Sequence, residues 1–127
     1  MKGKVVHFEL PADDVKRAKS FYKKTFEWEL QPIPEAEYTF LGTAPHDAKW
    51  VPKERGVING GMAERGPPLK HPSVTIAVES IDKAAKVIVK NGGKIVRKKL
   101  PIGENGFVAY FKDTEGNVLG IIEPPSM

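Results

Sequence analysis

Two stretches of the chain share one pattern of apolar and polar positions. Residues 7–22 and 73–88 each alternate as a strand does, pass through an acidic or hydroxyl residue, and continue with apolar residues at helical spacing. The two copies begin at residues 7 and 73, which are 66 residues apart. A repeat of this length indicates two copies of one supersecondary module within the chain.

The first module, residues 4–64, is predicted to have the order βαβββ. Alternation over residues 5–10 predicts a strand, which Pro11 is expected to end. Asp13 or Asp14 then caps a helix, since an acidic side chain accepts hydrogen bonds from free backbone amides at a helix start. The apolar stripe of this helix, expected to face a core, consists of Val15, Ala18, Tyr22 and Phe26, and three further strands are predicted over residues 28–33, 38–43 and 57–63.

Two segments lack the periodicity of a helix or a strand. Residues 44–56 are predicted to form a polar loop, in which His46 and Trp50 are candidates for a mobile cover over a site. Residues 65–72 are rich in proline and are predicted to link the two modules, with His71 exposed.

The second module, residues 73–124, repeats the order of the first. A strand over residues 73–78 leads to Ser80, which is predicted to cap a helix that ends at Asn91. The apolar face of this helix consists of Ile81, Ala84, Ala85 and Ile88, and further strands are predicted over residues 94–100, 107–112 and 118–123. Two βαβββ modules predict the α+β class, with helices that cover one face of a mixed sheet.

Composition restricts the class of protein. A chain of 127 residues suits one domain, and the absence of cysteine excludes disulfides, thiolate nucleophiles and cysteine-ligated metals. The chain has no apolar run of 18 residues and no apolar stretch of a secretory signal near its start. We therefore predict a cytoplasmic protein with no membrane partner.

The net charge of +4 and the pI near 9.3 raise the question of a nucleic-acid partner. Lysines alternate with carboxylates along both predicted helices, as on solvated faces. The aromatic residues are not interleaved with the basic ones as a base-stacking surface requires. We therefore predict no nucleic-acid partner.

Five segments of the chain match the motifs of a known superfamily in order and spacing. They are His7-Phe-Glu-Leu, Ala18-Lys-Ser-Phe-Tyr-Lys-Lys-Thr-Phe-Glu-Trp28, Val74-Thr-Ile-Ala-Val, Asn91-Gly-Gly-Lys-Ile and Phe111-Lys-Asp-Thr-Glu-Gly-Asn117. Together they resemble the vicinal oxygen chelate superfamily, the group of glyoxalase I, bleomycin-resistance proteins and extradiol dioxygenases. The chain departs from that pattern at Glu27, where glycine is usual. The resemblance implies a curved mixed sheet around a cavity with the helices outside, and a homodimer.

The resemblance also implies where metal ligands would lie. The corresponding positions are His7, Gly60, Ser73 and Gly120. Only His7 has a ligand-type side chain, whereas a catalytic divalent metal usually needs about three. We therefore predict no cofactor and a branch that lacks most of the metal ligands. The alternative is a divalent metal held by His7 and Glu9 and completed by His71, Glu64 or Glu123.

Strand alternation predicts which side chains face the cavity. In the first strand Phe8 and Leu10 should pack under the helices, which leaves His7 and Glu9 on the concave side. His7 and Glu9 are the candidate catalytic residues, as an acid/base pair, and the alternative is a hydrogen-bonded pair that stabilises a partly buried strand. The predicted ligand cavity is lined by Gly60, Met62, Ser73, Thr75, Gly120 and Trp50.

Glycines within strands need a reason, which is either a ligand in the space they leave or a β-bulge. Aromatic residues of the strands, Tyr38, Phe40, Phe107 and Tyr110, are either a cavity wall or ordinary core. The sequence thus predicts a glyoxalase-like domain that binds a small molecule without the usual metal site. The alternative is a lyase or isomerase in which His7 is the general base, with or without a divalent metal.

Overall fold

The computed structural model describes residues 2–49, 51–102 and 106–124. The elements in chain order are β1 (Lys4–Ala12), α1 (Val15–Phe26), β2 (Glu29–Ile33), β3 (Tyr38–Gly42), β4 (Gly60–Glu64), β5 (Ser73–Ala77), α2 (Ile81–Lys90), β6 (Lys94–Pro101), β7 (Phe107–Lys112) and β8 (Val118–Glu123). A short 3-10 helix, Pro34–Ala36, joins β2 to β3. The predicted βαβββ order is confirmed in both modules.

The chain divides into two compact units. The N-terminal unit is His7–Pro72, and the C-terminal unit is Ser73–Met127 together with Met1–Val6. In the N-terminal unit β1 pairs in parallel with β4, and β4–β3 and β3–β2 are antiparallel. In the C-terminal unit β5 pairs in parallel with β8, and β8–β7 and β7–β6 are antiparallel. The same pairing in both units confirms the repeat.

The strand order is β2-β3-β4-β1 in the N-terminal unit and β5-β8-β7-β6 in the C-terminal unit, which also contains the first residues of β1. Each unit combines one parallel pair with two antiparallel pairs, so its strands form mixed sheet, and the predicted α+β class is confirmed. Neither helix of the described residues is long and apolar enough to cross a membrane.

Side-chain caps start both helices. Asp14 accepts a hydrogen bond from the backbone amide of Arg17 at 3.0 Å, which settles the choice between Asp13 and Asp14. Ser80 accepts from the amide of Lys83 at 3.2 Å, as predicted. Each cap satisfies an amide that the first helical turn leaves without a backbone partner.

Each helix packs its apolar stripe onto the sheet of its own unit. In the N-terminal unit the cluster is built on Ala12, Leu41 and Met62, with Phe8, Leu10, Val15, Ala18, Tyr22, Trp28 and Leu30 packed against it. In the C-terminal unit it is built on Val78, Ile81, Ala84, Ala109 and Ile121, with Ile76, Ile88, Phe107 and Phe111 packed against it. The predicted packing of Phe8 and Leu10 under a helix is confirmed.

Phe26 departs from the prediction that it faces the core. It is the last residue of α1 and is 55% exposed. Its ring stacks on Tyr22, with 6.2 Å between the ring centroids, and does not enter the buried cluster. The helix ends here because Glu27 adopts a left-handed backbone (φ 58°), and its amide donates to the Lys23 carbonyl at 3.0 Å.

Pro11 does not end β1, contrary to the prediction. The strand continues to Ala12, whose carbonyl accepts from the amide of Arg65 at 2.9 Å. Peptide groups alternate in direction along a strand, so the nitrogen of Pro11 points away from β4. The ladder with β4 therefore loses no hydrogen bond at proline.

Strand β4 begins later than predicted, at Gly60. The buried side chain of Asn59 accepts from the amide of Thr43 at 2.9 Å, and the Thr43 hydroxyl donates to the Ile58 carbonyl at 2.7 Å. These bonds to Thr43 hold the residues before Gly60, so the segment is ordered without being part of the ladder.

Candidate functional site

A chain of hydrogen bonds links three polar side chains of the N-terminal unit. Nε2 of His7 lies 2.8 Å from the Tyr38 hydroxyl, which donates to Oε2 of Glu9 at 2.7 Å. We call His7, Tyr38 and Glu9 the polar triad. His7 and Glu9 share one face of β1, as predicted, but the Tyr38 hydroxyl bridges them.

Strand register brings Tyr38 to β1 across the intervening strand. On β4, Gly61 pairs with Glu9 of β1 on one side and with Phe40 of β3 on the other. A Cβ atom on Gly61 would lie 1.7 Å from the Tyr38 hydroxyl oxygen. The missing side chain at Gly61 therefore provides the space through which Tyr38 reaches the triad. This accounts for one strand glycine without a bulge or a ligand.

With Glu9 as the ionised carboxylate, the protons of the triad have one consistent arrangement. A tyrosine hydroxyl has a single proton, and Tyr38 uses it to donate the hydrogen bond to Glu9. Nε2–H of His7 then donates a hydrogen bond to the same hydroxyl oxygen. In a neutral imidazole this leaves Nδ1 as a hydrogen-bond acceptor.

Burial sets the charge of His7. Removal from water disfavours the imidazolium and lowers the pKa of His7 from 6.5 to about 4. His7 is therefore neutral near pH 7. Glu9 is also buried, at 5% exposed. The triad thus lies in a partly dry environment, where hydrogen bonds are stronger than in water.

Aromatic rings flank the triad. The Tyr38 ring stacks on the imidazole of His7 at 6.4 Å between centroids, and the Phe40 ring meets the edge of Tyr38 at 5.6 Å. Phe40 lies two residues after Tyr38 on β3 and so shares its face. The result is an acceptor nitrogen beside an aromatic wall.

The predicted cavity residues Gly60 and Met62 lie on the opposite face of the sheet, which corrects the prediction. A Cβ atom on Gly60 would lie 2.6 Å from the Phe8 ring, and Met62 is 1% exposed in the core cluster. Alternation within a strand fixes relative faces only, and the pairing of Phe8 with Gly60 shows which glycine faces the helix. Gly61 is the glycine on the face of the triad.

The predicted cavity residues of the C-terminal unit lie close to one another. Thr75 is 3% exposed and pairs with Gly120, where a Cβ atom would lie 3.0 Å from the Thr75 hydroxyl oxygen. The Ser73 hydroxyl donates to the Val118 carbonyl at 2.8 Å, so this hydroxyl connects β5 to β8. Trp50 lies outside the described residues.

His46 fastens the loop between β3 and β4 to a strand. Its ring contacts the backbone carbonyl of Asp47 at 2.9 Å and the carboxylate of Glu29 on β2. Both contacts raise the pKa of His46 above 6.5, and the hydrogen bond with the Asp47 carbonyl has the larger effect. The prediction of a mobile cover at His46 stays a prediction, and the structure shows the anchor that such a movement would have to break.

Within the described part of the chain, the donors of the alternative metal site do not lie together as a ligand set. No three His, Asp or Glu side chains among the described residues converge as metal ligands. Nε2 of His7 and one carboxylate oxygen of Glu9 are engaged by Tyr38. Of the residues predicted to complete such a site, Glu123 accepts from the amide of Ile81 at 2.8 Å, and His71 is exposed.

The sequence indicated Tyr38 only as cavity wall or core and did not reveal its hydrogen bonds to His7 and Glu9. The aromatic and apolar residues around it on β3 are typical of core. The signal that could have found it is the pair of adjacent glycines on β4, because Gly60 pairs with the apolar Phe8 and Gly61 pairs with the polar Glu9 of β1. One of those glycines must face the polar side, and a long side chain from the next strand can cross there.

Comparisons with known sequences agree on one family. A model of the Glyoxalase/Bleomycin resistance protein/Dioxygenase superfamily matches residues 4–121. A glyoxylase-like domain-containing protein from Didymella fabae is 31% identical over 131 residues, which cover 98% of this chain and 97% of that protein. A probable chloroplastic lactoylglutathione lyase from Arabidopsis thaliana is 27% identical over 135 residues, which cover 96% of this chain and 36% of that protein.

Solved structures share the fold. A hypothetical protein from Bacillus halodurans C-125 has a TM-score of 0.67 at 16% identity, covering 100% of this chain and 98% of that one. Methylmalonyl-CoA epimerase from Mycobacterium tuberculosis has a TM-score of 0.63 at 14% identity, covering 96% of this chain and 88% of that one. At these identities the likeness shows the fold and leaves the chemistry to the site itself.

Proposed function

Because the chain belongs to the Glyoxalase/Bleomycin resistance protein/Dioxygenase superfamily, we propose that it binds a small molecule at the polar triad. The proposed site does not use a divalent metal at the positions usual for the superfamily. The observation that carries this proposal is the hydrogen-bond chain from His7 through Tyr38 to Glu9. It holds an acceptor nitrogen in a fixed orientation beside the rings of Tyr38 and Phe40.

The acidity of His7 favours binding over catalysis. A general base works best when its pKa lies near the working pH, because it must both be free and accept a proton readily. Burial lowers the pKa of His7 to about 4, so near neutral pH it is free of a proton but weakly basic. Such an imidazole is better suited to accept a hydrogen bond from a ligand than to remove a proton.

A lyase or isomerase with His7 as general base is the second candidate. The orientation of the imidazole by Tyr38 and Glu9 supports it, since a catalytic base is commonly held by a second group. The similarity to a probable lactoylglutathione lyase also points to this class. In this case kcat/KM would rise with pH through about 4 and the inflection would vanish in His7→Ala.

A ligand screen with matched tyrosine variants tests the binding proposal. We would measure thermal shifts with neutral, anionic and cationic small molecules for the wild type, Tyr38→Phe and Tyr22→Phe. Tyr22 is the control because it is in the same unit and its described contacts are made by its ring. Compounds that stabilise the wild type and Tyr22→Phe, but stabilise Tyr38→Phe less, support the proposal. Equal shifts in all three proteins would place binding elsewhere.

A homodimer and a cytoplasmic location complete the proposal. Both follow from the family resemblance and the composition and stay predictions. Light scattering coupled to size exclusion should give twice the chain mass of 14.0 kDa. A mass of one chain would remove the dimer from the proposal without affecting the triad.

A further inference from the structure

We infer that the polar triad selects neutral ligands that carry an O–H or N–H donor next to an apolar group. This inference rests on the proposed function, since it names the class of ligand for the same site. It comes from the direction of each hydrogen bond in the triad and from what those directions leave for a ligand.

The first step is that the triad presents an acceptor. Glu9 accepts a hydrogen bond from the Tyr38 hydroxyl, whose oxygen accepts one from Nε2–H of His7. Both hydrogen bonds of the triad therefore run in one direction, from His7 through Tyr38 to Glu9. The position left on the imidazole is the lone pair of Nδ1, which only a donor can satisfy.

The second step is that Nδ1 is open to a ligand. Among the described residues, the hydrogen bond of His7 is made by Nε2. No buried side-chain nitrogen or oxygen of the described residues lacks a hydrogen-bond partner. Nδ1 is therefore at least partly accessible, so a ligand donor can reach it.

The third step concerns charge and shape. An anion would face a lone pair at His7 and the buried acid Glu9 behind it, with no proton of the triad directed toward it. The rings of Tyr38 and Phe40, which meet edge to face at 5.6 Å, favour an apolar or aromatic neighbour of the donor. An aryl alcohol or a similar neutral donor fits these constraints, and a carboxylate does not.

Nitrogen NMR of isotope-labelled protein tests the tautomer directly, without any ligand. Protonated and bare imidazole nitrogens resonate in separate ranges, so the spectrum near neutral pH reports which nitrogen of His7 holds the proton. We expect the Nε2–H tautomer in the wild type and a mixture of tautomers in Tyr38→Phe, while the signals of His46 and His71 stay unchanged. A wild-type Nδ1–H tautomer would overturn the inference and leave the proposed binding site standing.

Three matched probes test the selectivity. Benzyl alcohol, benzyl methyl ether and benzoate share a ring but present a donor, an acceptor and an anion. We expect benzyl alcohol to shift Nδ1 of His7 and to bind about fivefold to tenfold more tightly than the other two. Equal affinities would overturn the inference. If no probe affects His7 while the tautomer is as expected, the result counts against the proposed small-molecule site itself.

Discussion

The hydroxyl of Tyr38 occupies the space that a side chain on Gly61 would need. A Cβ atom there would lie 1.7 Å from the hydroxyl oxygen and 2.0 Å from the ring carbon that bears it. Three strands meet at this point, since β4 lies between β3, which carries Tyr38, and β1, which carries the other two members of the triad. The size of one residue on the central strand therefore decides whether the triad forms.

Gly61→Ala should destabilise the protein by about 1–3 kcal/mol, as overpacking usually does. In a Tyr38→Ala background the same change should cost less than about 0.5 kcal/mol, because the obstructing ring is gone. Chemical denaturation of the four proteins in this cycle measures the coupling. Gly66→Ala is the control, since no described atom other than those of its chain neighbours lies within 4 Å of its added Cβ. Additive effects of the two changes would contradict the proposed steric relation.

Tyr38→Phe should lower the free energy of unfolding by about 1–3 kcal/mol. The change leaves the ring in place but removes one donor to the buried Glu9 and one acceptor for His7. Denaturation curves for this variant and for Tyr22→Phe, compared with the wild type, isolate the hydroxyl. A loss no greater than that in Tyr22→Phe would mean that the bonds of the triad contribute little in solution.

The titration of His7 should make stability fall as the solution becomes acidic. Burial lowers its pKa from 6.5 to about 4, so between these values the unfolded chain binds a proton that the folded chain does not. The contribution is fully present above pH 6.5 and is lost progressively down to about pH 4, for a total of about 3 kcal/mol. Below that pH both states are protonated and the loss stops.

Denaturation of the wild type and of His7→Gln at several pH values measures the contribution of His7. The quantity compared is the difference between the free energies of unfolding of the two proteins. All other residues are the same in both proteins, so the difference isolates the contribution of His7. We expect the stability difference between the two proteins to change across this pH window and to level off outside it. Parallel stability curves would show that His7 is not buried as described.

Glu27→Gly should stabilise the protein by about 1 kcal/mol. Glu27 has φ 58°, a left-handed conformation that glycine adopts without the steric cost imposed by a side chain. The matched control is Ser20→Gly, an exposed position inside α1, where glycine should cost about 0.5–1 kcal/mol. Opposite signs at the two positions are the expected result of thermal or chemical denaturation. Destabilisation at both would indicate that Glu27 makes a contact that compensates the strain.

Most of the fold could be predicted from the sequence because its signals are local. The caps at Asp14 and Ser80 and the alternation of each strand depend on neighbours in the chain. The resemblance to the superfamily, carried by short motifs, is confirmed by the family match over residues 4–121. The predictions for Pro11 and Phe26 were wrong because they depend on other elements. Whether Pro11 ends β1 depends on which side its nitrogen faces, and whether Phe26 is buried depends on what packs beside the end of α1.

The candidate site was only half predictable, because it depends on register between strands. Alternation placed His7 and Glu9 on one face, and the structure agrees. It could not show that Gly61, and not Gly60, shares that face, since a shift of one residue exchanges the two. Nor could it show that Tyr38 crosses β4, because its strand is apolar and nothing in the order of residues reveals a partner 29 positions away.

The most direct test is calorimetric titration of the tightest ligand from the screen into chelator-treated wild type and Tyr38→Phe. We predict that the wild type keeps its affinity after chelation and after addition of a divalent metal, and that Tyr38→Phe binds about fivefold to tenfold more weakly. Affinity that disappears on chelation, returns with the metal and is the same in Tyr38→Phe would contradict a metal-independent site at the polar triad.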